Sequence, residues 1–128
     1  MPPEFFADRN LGVVTVRRLR EAGWTVHRIA DIYPDDAQGV SDEVWIEYGC
    51  RHGWTLLTKD RRIRYRAEEL SALAADSLLF CLAKQDLTTE QMVGAFRSAA
   101  GRIERAVARR EAGFWHVYAD GNIKRMWP

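Results

Sequence analysis

The chain has 128 residues, 47% hydrophobic and 29% charged, which excludes a disordered or low-complexity polymer and indicates one compact domain spanning 1–128. Nineteen Lys and Arg stand against eighteen Asp and Glu, so contact with a polyanion has to come from where the charges sit rather than from their sum. A chain this long can take about two thirds of its unfolded surface out of water.

In chain order, Phe5-Phe6-Ala7 forms a short apolar run, expected as a strand, that ends at Asp8-Arg9-Asn10. Asn10 is suited to cap a helix through Leu11, Val14 and Leu19 that Gly23 ends. Trp24 to Ile29 alternates and is rich in β-formers, a second strand. A polar loop with Pro34 and Gly39 leads to Ser41, a good N-cap for a helix carrying Val44, Trp45 and Tyr48 and stopped by Gly53. Trp54 to Thr58 reads as a third strand, with Lys59-Asp60-Arg61-Arg62 just past its carboxyl end. The order βαβαβ with crossovers of this length favours a parallel sheet.

Residues Ala67 to Ala74 suggest a short helix and Ser77 to Leu82 a fourth, buried strand. Thr88-Thr89-Glu90-Gln91 offers a capping box for a long amphipathic helix with Met92, Val93, Phe96, Ala100, Ile103 and Val107 on one face and Arg102, Arg105 and Arg109 on the other. Asp120-Gly121 between Phe114 to Ala119 and Asn122 to Trp127 signals a closing antiparallel hairpin. The fold class expected is therefore α/β, a mostly parallel central sheet with helices on both faces and a C-terminal hairpin.

Ligands of an open α/β sheet bind beyond the carboxyl ends of the strands, where strand order reverses. With the order 2-1-3, that point falls between the first and third strands. Asp8 and Asp60 occupy matching places there, and the helix opening at Ser41-Asp42-Glu43 starts close to the same edge. Three gathered carboxylates repel one another unless a cation or a shared proton neutralises them, and oxygen ligands without His or Cys suit Mg²⁺ or Mn²⁺. Each acid also has a plain reading as a helix cap or turn residue, Asp42 above all, so the conjunction carries the argument. Glu43 is an alternate to Asp42.

Charge placement supports the same edge. Asp31 to Glu47 holds six carboxylates and no Lys or Arg, whereas Arg51 to Arg66 holds six cations against Asp60 alone. His27, His52 and His116 share no ligand spacing and read as packed or surface residues. Cys50 and Cys81 lie in a helix and a buried strand without Cys or His partners, as thiols of a reducing compartment do. The N-terminus lacks the basic start and apolar core of a signal peptide, and no apolar run approaches about 18 residues, so a cytoplasmic protein without membrane attachment is expected.

Four segments together resemble a family: Phe-Phe-Ala-Asp8-Arg-Asn10-Leu, Leu-Arg-Glu-Ala-Gly23, Ser41-Asp42-Glu43-Val-Trp-Ile and Leu-Leu-Thr58-Lys59-Asp60. They are similar to the PIN-like domains of bacterial type II toxin–antitoxin systems, most closely the VapC45-like branch. The resemblance covers residues 4 to 70 by motif and extends onward by element order. It implies a PIN-like three-layer sandwich and a metal-dependent endoribonuclease, a toxin that cleaves RNA with Mg²⁺ or Mn²⁺ and is inhibited by a cognate antitoxin protein. Homodimerisation is a further implication.

Carried over, Asp8, Asp42 and Asp60 are the catalytic and metal-holding acids. Arg9, Lys59, Arg61 and Arg62 flank them to draw in the RNA backbone, and Asn10 and Thr58 orient a carboxylate or a metal-bound water. Larger PIN toxins place a further acid on an extra helical segment that this chain lacks; Asp31 is the candidate substitute. The alternative is a PIN-like module that binds nucleic acid or protein without cutting. A receiver-like signalling domain also uses aspartates at strand ends, but Asp8-Arg-Asn lacks the usual acidic pair.

Overall fold

The computed structural model describes residues 2–33, 35, 39–65, 71, 73 and 76–128. Six strands, β1 (Glu4–Ala7), β2 (Thr25–Arg28), β3 (Thr55–Thr58), β4 (Leu78–Leu82), β5 (Gly113–Val117) and β6 (Ile123–Trp127), form one sheet in the order β2-β1-β3-β4-β5-β6. All neighbours are parallel except β5 and β6, which close the sheet as an antiparallel hairpin. The sequence-predicted order 2-1-3 and the reversal between β1 and β3 are both present.

Among the described residues the α-helices are α1 (Val13–Glu21), a single turn α2 (Ile29–Ile32), α3 (Asp42–Arg51) and α4 (Thr89–Ala108). Alternation along the strands sorts the core into two layers. Phe5, Ala7, Leu57, Phe80, Leu82 and Val117 face α1 and α4, meeting Val16, Leu19, Phe96 and Ile103. Phe6, Leu56, Leu79, Cys81 and Phe114 face the other way, toward Trp45 and Ile46 of α3. The result is the three-layer α/β sandwich expected from the sequence.

One close approach and one cap set the positions of the helices. Gly49 lets α3 lie against the sheet, because a Cβ there would stand 2.4 Å from Leu56 Cδ2 and 2.8 Å from Phe6 Cδ2. The predicted capping box starts α4: Gln91 N–H donates to Thr88 Oγ1 at 3.2 Å and Thr88 N–H to Gln91 Oε1 at 2.9 Å. An exposed Arg18–Glu90 ion pair joins α1 to α4.

The structure corrects the first helix. Asn10 is not its cap, because Arg9–Leu11 forms a short 3₁₀ turn and Gly12, at φ +85°, breaks the chain before α1 begins at Val13. The break rotates the helical face, so Val14 is 41% exposed while Thr15, Val16 and Leu19 are buried. The second strand is also shorter than predicted, with Ile29 opening α2 instead of ending β2. Ser41 does stand at the N-cap of α3, but its side chain makes no capping hydrogen bond. Most of the helix expected over Ala67 to Ala74 lies outside the described residues. Among the described residues no helix is long and apolar enough to cross a membrane.

Candidate active site

At the switch point, Asp8 N–H donates to Leu57 O at 2.8 Å, which carries the β1 backbone one residue past its strand and beside the end of β3. Thr58, fully buried, is the hub of the edge. Its hydroxyl donates to Asp8 Oδ2 at 2.7 Å and accepts from Asp60 N–H at 3.1 Å and Asn10 Nδ2 at 3.4 Å. One donor and two acceptor positions are thus all in use. A single side chain fixes Asp8, Asn10 and the turn that carries Asp60.

Asp60 Oδ1 accepts from both the backbone N–H and Nε of Arg62, each at 3.0 Å. Asp42, in the first turn of α3, accepts from the buried Trp45 indole Nε1 at 2.9 Å. Asp8, Asp42 and Asp60 line one open cleft of about 430 Å³ together with Arg9, Asn10 and Trp45. Burial is the main reason that Asp8 is pushed up from its ordinary value of 3.8 to about 6; the Thr58 hydrogen bond opposes this, and the Asp42 and Asp60 charges add to it.

The structure therefore brings the three predicted acids to one cleft. It does not pack them into a ready-made cage: among the described residues no three His, Cys, Asp or Glu side chains stand close enough together to hold one ion. The donor set is nevertheless wholly oxygen. Asn10 Oδ1, buried and without a hydrogen-bond partner, adds an acceptor at the cleft. A carboxyl whose pKa is raised first by burial and then by its acidic neighbours, beside an orphaned amide oxygen, fits a hard divalent cation.

Among the other sequence candidates, Arg9 lines the cleft. Lys59 is half-buried and not among the cleft lining, and Arg61 turns away to donate to Ala83 O at 3.0 Å. Glu43 is exposed and does not line the cleft, and Asp31 pairs instead with Arg28 and Arg20. The histidines are packed elsewhere: His27 stacks on Trp54 at 3.8 Å and His52 on Tyr48 at 4.3 Å. The sequence places Trp45 on the helix opened by Ser41, and its bond to Asp42 was not among the contacts expected there. The signal was available, because residues three apart on a helix share a face.

Fold and cleft together define an α/β protein with a carboxylate-lined site at the reversal point of a parallel sheet. The profile of a family described as "PIN like domain" matches residues 3–84, which contain every residue of the cleft. The Mycobacterium tuberculosis protein named "Putative ribonuclease VapC45" is 36% identical over 124 residues, covering 94% of this chain and 89% of that protein. No solved structure matches the chain. The chain belongs to the PIN-like domain family.

Proposed function

We propose that this protein is a metal-dependent endoribonuclease, the toxin of a type II toxin–antitoxin pair, acting in the cytoplasm with residues 1–128 as one unit. The observation that carries the reading is the convergence of Asp8, Asp42 and Asp60 on one cleft, where burial first and the neighbouring charges second raise Asp8 to about 6. The mycobacterial relative, named as a ribonuclease, supports the substrate class. RNA is the expected substrate and a cognate antitoxin the expected inhibitor.

Asp8, Asp42 and Asp60 would hold the cation; Glu43, the alternate on α3, is exposed and outside the cleft lining. When bound, Mg²⁺ or Mn²⁺ supplies Lewis acidity at a phosphate oxygen and lowers the pKa of an attacking water. The chain's own residues do the rest. Thr58 fixes the rotamer of Asp8, and Trp45 fixes Asp42, so two of the three acids are oriented before anything binds. Asn10 Nδ2 donates to Thr58 Oγ1 at 3.4 Å, which ties Asn10 to the hub that holds Asp8. Arg9, Lys59, Arg61 and Arg62 attract the phosphate backbone, giving affinity that falls with salt.

One observation favours the non-cutting module: Asp42 and Asp60 are engaged by Trp45 and Arg62, and no tight three-ligand cluster exists among the described residues. Incubating a mixed RNA pool with purified, antitoxin-free protein separates the two. The ribonuclease reading expects cleavage with Mn²⁺ or Mg²⁺ and none in EDTA. Folded protein that retains RNA yet cuts under neither metal establishes the binding module instead.

A further inference from the structure

A second depression, also of about 430 Å³, opens along the same edge of the sheet, beyond the carboxyl ends of β4 and β5. Its place is fixed by register: Leu82 pairs with Val117, and Ala83 N–H continues the ladder by donating to Val117 O at 2.9 Å. Arg61 borders it, only one residue from Asp60, which lines the first cleft. Strands lie about 4.8 Å apart, so the step from the end of β3 to the end of β5 is about 10 Å. The two hollows are consecutive stations on one path.

The lining has the chemistry of a nucleotide site. Arg61 is held over the strand ends by its bond to Ala83 O, which engages one of the five guanidinium N–H donors. Lys84 is exposed on the same rim, so two cations face a single carboxylate, Asp86. Tyr118 is half-buried, braced edge-on by His116 at 6.1 Å, and Leu87 and Val117 supply apolar walls. Gln85 Nε2 donates to Leu82 O at 3.4 Å, which leaves its Oε1 to accept from an exocyclic amine. An aromatic face beside cations is the combination that holds single-stranded bases.

We infer that this depression binds a nucleotide of the RNA flanking the scissile phosphate, its base against Tyr118 and its phosphate between Arg61 and Lys84. The inference rests on the ribonuclease reading for its direction along the substrate, but the binding site can be tested without cleavage.

The test is titration of the full-length, ¹⁵N-labelled protein with AMP and UMP in EDTA, with ribose 5-phosphate as the anion control. Amide shifts should centre on 83–87 and 117–119, and ribose 5-phosphate should bind on the order of ten-fold more weakly than the nucleotides because it lacks a base. Tyr118→Leu and Lys84→Gln should each weaken nucleotide binding about ten-fold, and Tyr118→Phe should keep it; unchanged amide spectra away from the depression show that each variant is folded. Equal binding of ribose 5-phosphate and nucleotide, or shifts confined to other surfaces, overturns the inference. If RNA is cut and no mononucleotide binds here, the subsite is wrong and the ribonuclease reading stands. If nucleotides bind here and RNA is never cut, the subsite stands and the ribonuclease reading falls.

Discussion

Replacing Asp8 by Asn should remove activity and stabilise the metal-free protein at the same time. Asp8 is pushed up to about 6 from 3.8, so the folded state binds its proton more tightly than the unfolded chain does. The sign follows from linkage: this stabilising preference is fully present below pH 3.8, declines as pH rises, and is gone above about pH 6. A displacement of that size is worth about 3 kcal/mol. Asp8 is half-buried in an open cleft, and solvent screening reduces the figure to about 2 kcal/mol. Asp8→Asn carries no charge at any pH and can still accept from Thr58. In EDTA at pH 7.5 its Tm should therefore exceed that of the wild type by roughly 6–10 °C for a chain of this size. The gap should close toward pH 4. Thermal unfolding of both proteins from pH 4 to 8 gives the answer. A variant that is less stable than wild type at pH 7.5, or a gap that does not change with pH, refutes the burial-and-repulsion account of Asp8.

The other expectations follow from single contacts. Thr58→Val removes the hydroxyl shared by Asp8, Asn10 and the Asp60 N–H, and should cost about 1–3 kcal/mol in denaturant unfolding. Because that hydrogen bond holds the Asp8 pKa down, the acid limb of the pH–rate profile should move to higher pH in Thr58→Val, while Thr58→Ser should keep the wild-type limb. Trp45→Phe releases Asp42; kcat should fall about ten-fold with a modest loss of Tm, and an unchanged kcat would deny Trp45 a positioning role. Gly49→Ala should destabilise by about 1–3 kcal/mol by forcing α3 off Leu56 and Phe6, which urea unfolding will measure.

The parts of the fold that the sequence announced are those written in local chemistry. The capping box at Thr88, the Asp120-Gly121 turn and the βαβαβ rhythm each depend on a few adjacent residues, and each is present. Asn10 misled because a good cap residue is also a good turn residue. Gly12, two positions later, was the sign that the chain needed a positive φ before the helix could start. The exposure of Val14 follows from that one displaced start.

At the site, the residue types and their strand-end positions were legible, since they depend only on element order. Thr58 was expected to orient a carboxylate, but which one was not legible, because its partners Asp8 and Asn10 lie 50 and 48 residues away and meet only when β1 and β3 pair. The engagement of Asp60 by Arg62, and of Arg61 by Ala83, likewise depends on side-chain direction, which adjacency in Lys59-Asp60-Arg61-Arg62 does not fix.

The most direct test of the account is the rate of RNA cleavage in saturating Mn²⁺ by Asp8→Asn, Asp42→Asn, Asp60→Asn and the Asp8→Asn/Asp60→Asn double variant. If the three acids act as one unit, each single variant should lose at least about a hundred-fold in kcat and the double should be little worse than either parent. A folded single variant that cuts at the wild-type rate would contradict the assignment of that acid, and wild-type rates in all three would place the chemistry outside this cleft.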